Sequence, residues 1–66
     1  MEGLSIGQAI KERRIAHDLT QEQLAKRIGV SGAMLCMIER GTKVPSLPLS
    51  KEIATVLNCT LEDLCS

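Results

Sequence analysis

Apolar residues recur along this chain in short clusters three and four positions apart, the period of a helix with one buried face, and hydroxyl residues tend to stand just ahead of the clusters. Ser5, followed three positions later by Gln8, has the form of a capping box, in which hydroxyl and amide satisfy backbone groups a helix start leaves unpaired. The spacing predicts a first helix from there to Ala16 or His17, with Ile6, Ala9 and Ile10 as its buried stripe and Arg13 and Arg14 reaching past its far end. Asp18 breaks the pattern. Thr20 and Gln23 repeat the cap and open a second, short helix, with Leu24, Ala25 and Ile28 inward and Gln21, Glu22, Lys26 and Arg27 outward.

Gly29 closes that helix, since glycine enters the left-handed backbone without steric cost, and Ser31 is placed to cap a third helix from about Gly32 to Arg40. Two helices thus meet across a turn of the length expected of a helix-turn-helix. After Gly41 the residues to Pro45 read as a loop. Ser46 caps a fourth helix in which Pro48 falls harmlessly in the first turn, and Ile53, Ala54 and Leu57 face inward with Leu49 or Ser50 above them. Asn58 serves as the stop, and Thr60 with Asp63 starts a last short turn holding Leu61 and Leu64. With no strand-like alternation and no internal repeat, the reading is all-α: five short helices around one core, residues 1–66 forming a single domain.

Composition narrows the function. A chain of 66 residues leaves no room for a second domain or a deep catalytic cleft. It contains no Phe, Tyr or Trp, so the core is aliphatic and bases cannot be stacked on side-chain rings, which argues against most readers of single-stranded RNA. Formal net charge is zero but unevenly spread: residues 1–45 carry seven Lys/Arg against five Asp/Glu, and residues 46–66 one Lys against three acids. That permits a weakly basic face in the first part. Met1-Glu2-Gly3 lacks the start of a secretory signal and no apolar run could span a membrane, so a cytoplasmic protein is expected.

Cys36, Cys59 and Cys65 contain no Cys-x-x-Cys pair and have one histidine for company, so neither a disulfide framework nor a metal site is suggested. Cys59 reads as a small core residue. His17 stands beside Asp18 in sequence, a poor arrangement for an oriented acid–base pair, and Cys36 has no basic partner placed for nucleophilic chemistry. No catalytic residue, cofactor or small-molecule ligand is indicated; the chain does not read as an enzyme.

The run Thr20-Gln21-Glu22-Gln23-Leu24-Ala25-Lys26-Arg27-Ile28-Gly29-Val30-Ser31, continued by Leu35, Ile38-Glu39-Arg40-Gly41 and Pro45-Ser46-Leu47, closely resembles the lambda-repressor-like regulators of the phage-repressor and Xre type. Ile6-Gly7-Gln8 with Ile10 fits that family's first helix, and the stretch from Leu57 to Leu64 its usual ending, so the likeness covers nearly the whole chain. The resemblance implies a transcriptional regulator, a repressor that binds double-stranded DNA, with helix 2 crossing the phosphate backbone and helix 3 in the major groove. Gln21 would contact a phosphate at the positive end of the helix 2 dipole, and Arg40, Thr42 and Lys43 would supply a second set of backbone contacts that position without choosing a sequence. Arg14 and Glu39 match positions where relatives form a structural ion pair. Relatives commonly bind as two-fold dimers, and here Leu47, Leu61, Leu64 and Cys65 mark the expected homodimer surface.

One departure from that pattern bears on function. At about 100° per residue, Leu35 and Ile38 point inward with Met34 beside them, while Gly32, Ala33, Cys36 and Met37 point away. Relatives commonly carry Gln, Ser, Arg or Thr at such positions. Here nothing can make the paired hydrogen bonds that Arg gives guanine or Gln gives adenine. Three explanations stand open: Ala33 and Met37 read thymine methyl groups while shape supplies the rest, base contacts come from Ser31, Thr42, Lys43 or a partner protein, or the Met-rich face binds a protein and the module no longer reads DNA.

Overall fold

Caps set the architecture. In the computed structural model, which describes residues 6–65, the helices are α1 Ile6–Ala16, α2 Gln21–Ile28, α3 Gly32–Arg40, α4 Leu47–Val56 and α5 Leu61–Cys65, with no strand among the described residues. The expected cap at Ser5 lies outside them. Thr20 Oγ1 accepts from the Gln23 amide at 3.1 Å while the Thr20 amide donates to Gln23 Oε1 at 2.9 Å, the reciprocal pair the spacing predicts. Ser31 and Ser46 cap α3 and α4 through the amides of Met34 and Leu49. Thr60 and Asp63 close a further reciprocal pair at 3.0 and 3.1 Å ahead of α5.

The stops are equally local. Gly29 and Gly41 take φ of 74° and 85°, the left-handed conformation that ends α2 and α3. Asp18 and Asn58 adopt the same region at 58° and 56°, which short side chains with polar ends tolerate better than others.

Ile10, Leu24, Leu35, Ile38, Ile53, Leu57 and Leu64 are shut away from solvent, and each stabilises the fold by roughly 1.5–3 kcal/mol relative to exposure. Met34, Leu49, Val56 and Cys59 pack against them half-buried, and the buried Ser50 sits beside Leu49 at the top of the α4 stripe. Leu64 corrects an expectation: the expected dimer surface included it, but α5 turns it into the core, because a five-residue helix with acidic Glu62 and Asp63 outward must bury the leucine that follows them. The α1 side of the molecule holds a contact periodicity does not reveal. Gly7 lies against the last turn of α3, where a Cβ would come within 2.9 Å of the Glu39 carbonyl oxygen and nearer still to that of Ile38.

Candidate nucleic-acid interface

The motif is assembled at one charged junction. Arg14, at the end of α1, donates from Nε to Glu39 Oε2 at 2.7 Å and from Nη2 to Oε1 at 3.1 Å, and both side chains are buried. Its Nη1 donates to the carbonyl of Leu19 at 2.8 Å, so one guanidinium fixes α1, the loop before α2 and the end of α3 together. The expected Arg14–Glu39 positions therefore do meet.

Gln21 departs from its expected outward placement. Its side chain is half-buried, and Nε2 donates to Glu39 Oε1 at 2.9 Å. The reason is packing: the first residue of α2 stands beside the last turn of α3, close enough for a glutamine to reach a carboxylate that Arg14 already holds. Nothing in the period of α2 signals this, because the partner is 18 residues away.

On α3, Ser31 is exposed with its Oγ engaged by the Met34 amide, leaving the hydroxyl proton uncommitted. Ala33 is exposed, Gly32 and Cys36 are half-buried, and Met37 keeps 40% of its surface in water, whereas Met34 is half-buried against the core. A Cβ built at Gly32 meets nothing within 4 Å, so packing does not require a glycine there. The helical phase turns Ala33 and Met37 outward as the sequence predicts, whereas Gly32 and Cys36, expected to point away, lie at the partly covered edges of that face, which carries no side-chain amide or guanidinium until Arg40.

At the last residue of α3 and in the loop after it, Arg40 and Lys43 are exposed. Thr42 is exposed too, but its hydroxyl donates to the Met37 carbonyl at 3.0 Å and its amide to the same oxygen at 3.0 Å. That bond uses the one proton Thr42 could offer a phosphate, so in this conformation the residue shapes the loop and Lys43 carries the charge. Among the described residues, Leu47 and Val44 are the most exposed large apolar ones, at 61% and 78%. Leu61 is half-buried; the Cys65 side chain is outside what the structure describes. Burial raises the pKa of the Cys59 thiol, with Arg13 opposing and Asp63 adding to the rise, which keeps it protonated and suits a packing role. Among the described residues no His/Cys/Asp/Glu cluster could hold a metal, and no helix is long and apolar enough to cross a membrane.

A helix-turn-helix family model (HTH_3) matches residues 10–64. The chain belongs to the helix-turn-helix family. This helix-turn-helix protein is 46% identical over 55 residues to an HTH-type transcriptional regulator of Archaeoglobus fulgidus, covering 83% of this chain and 78% of that one. Its fold is similar to that of the P22 c2 repressor solved in complex with a synthetic operator, with a TM-score of 0.91 at 25% identity over 97% of both chains. It also resembles the clp gene regulator ClgR of Corynebacterium glutamicum, with a TM-score of 0.86 at 29% identity, over 89% of this chain and 63% of that one. The lambda-repressor-like fold expected from the motifs is thus the fold observed, and the protein is a transcriptional regulator of a class that does not contain enzymes.

Proposed function

We propose that this regulator is a repressor that binds a specific duplex as a two-fold dimer, with α3 in the major groove and the start of α2 against the phosphate backbone. The observation that carries the reading is the exposed face of Ala33 and Met37, flanked by the uncommitted Ser31 hydroxyl at one end and exposed Arg40 and Lys43 at the other. The methyl and thioether groups match thymine methyls, the backbone of Gly32 is open to close approach, and the two cations supply phosphate contacts. Its similarity to a repressor solved on an operator supports the same mode of docking. Leu47 and Leu61, now with Val44 and without Leu64, are the proposed self-contact, and two recognition helices about 34 Å apart would span one duplex turn. Residues 1–66 act as one DNA-binding domain, and a cytoplasmic place of action is supported by relatives that are archaeal and bacterial regulators.

Selection of bound sequences from a random duplex pool at low salt tests this, followed by replacement of thymine with uracil in the selected duplex. The reading expects a two-fold motif with thymines in each half, and a loss of about fourfold in affinity for each buried methyl removed. If no motif is enriched, α3 is not a reader of sequence, and its Met37 face serves a protein partner instead.

A further inference from the structure

Glu39 does not need Gln21. Each of its carboxylate oxygens already accepts a hydrogen bond from Arg14, Oε2 from Nε and Oε1 from Nη2, so the charge is paired and both oxygens are satisfied before the glutamine arrives. The consequence of the third bond falls on Gln21 itself. With Nε2 tied to Oε1 at 2.9 Å, the planar amide of a side chain with three torsions is held, and its second N–H and its own carbonyl oxygen are fixed in direction. Gln21 is also the first residue of α2, where the Thr20 cap takes the amide of Gln23 and leaves the backbone amides of Gln21 and Glu22 ahead of the helical ladder. One side-chain donor and two backbone donors thus gather at the positive end of a helix. They stand beside a carboxylate whose negative charge Arg14 has neutralised.

We propose that Glu39 is a positioning residue for DNA binding: through Oε1 it orders the Gln21 amide in advance, so that the remaining N–H meets a phosphate oxygen without losing rotamer freedom on binding. The ion pair that ties α1 to α3 therefore also sets the backbone contact of α2. This rests on the duplex-binding reading above.

The test is a double-mutant cycle on affinity for one fixed duplex at low salt, using the full chain. Gln21→Ala is expected to weaken binding about tenfold in the parent. Arg14→Met with Glu39→Met, checked as folded by circular dichroism, should weaken it by a similar factor, and adding Gln21→Ala to that pair should change nothing further. An undiminished loss from Gln21→Ala in the paired background overturns the proposal, as does no loss in a parent that binds. Failure of the parent to bind any duplex brings down the DNA reading itself, and shows before any variant is compared. Should the pair not fold, nuclear magnetic resonance of the unsubstituted chain decides: one ordered Gln21 side-chain rotamer in the free protein supports positioning, and rotamer averaging refutes it.

Discussion

Replacing Gly7 by alanine isolates the contact between α1 and α3 on which the helix-turn-helix is mounted. In an open helix interior the exchange would stabilise, since alanine exceeds glycine by about 0.8–1.0 kcal/mol in helix propensity. Here the added Cβ would fall 2.9 Å from the Glu39 carbonyl oxygen and nearer still to the Ile38 carbonyl oxygen, closer than Cβ atoms settle, and both neighbours are backbone. A backbone neighbour cannot rotate away, so α1 must lift from the last turn of α3, disturbing Ile10 above it and the Arg14–Glu39 geometry beyond. Overpacking of this kind costs roughly 1–3 kcal/mol, more than the propensity gain returns. Set against that gain, a mid-range cost leaves a net loss of about 1 kcal/mol, which for so small a domain lowers the unfolding midpoint by about 4–8 °C. The assay is thermal unfolding followed by circular dichroism, with Gly32→Ala as the control: no atom lies within 4 Å of its Cβ, so that variant should be stabilised. A Gly7→Ala protein as stable as the parent, or more so, would refute the close approach.

Other predictions follow from the junction, the core and the caps. Glu39→Ala should destabilise by about 3–5 kcal/mol by stranding the buried Arg14 charge, whereas replacing both partners by apolar residues should cost much less; urea unfolding of the set decides, and simple additivity would remove the argument. Leu64→Ala should cost about 2–5 kcal/mol at any protein concentration because it opens a core cavity. A variant of unchanged stability that only shifts self-association would return Leu64 to the surface. The Asp63 carboxyl is held below its usual 3.8 by the Thr60 amide and then the Thr60 hydroxyl. A depressed folded-state pKa contributes stability above the unfolded value and loses it as pH falls through the folded one, so the α5 cap should weaken as pH drops below about 4. Titration of stability against pH should show that component vanish in Asp63→Asn.

The helices were legible because their signals are local. Caps at Thr20, Ser31, Ser46 and Thr60, left-handed stops at Gly29, Gly41 and Asn58, and stripes at helical spacing each depend on residues within a turn of one another. The phase of α3 was legible for the same reason, so Met37 stands exposed and Leu35 buried as the wheel requires. Where the reading fell short, the cause lies across the fold. Gln21 counted as an outward residue until α3 brought Glu39 to it, and Gly7 carried no sign of the carbonyls it meets. The Thr42 hydroxyl turns back on the Met37 carbonyl, the oxygen its own amide already meets where the chain folds over the end of α3. Leu64 was ambiguous because a terminal apolar residue is equally at home in a core or on a partner, and only the direction of α5 separates the two.

Salt dependence tests the central claim most directly, because a helix-turn-helix that meets duplex DNA must displace counterions whichever bases it reads. Exposed Arg40 and Lys43 beside α3 give an expected slope of log affinity against log salt of about −2 per protomer. A slope of that size, reduced by about one on Lys43→Ala, is the predicted result. An affinity that hardly responds to salt would contradict the account.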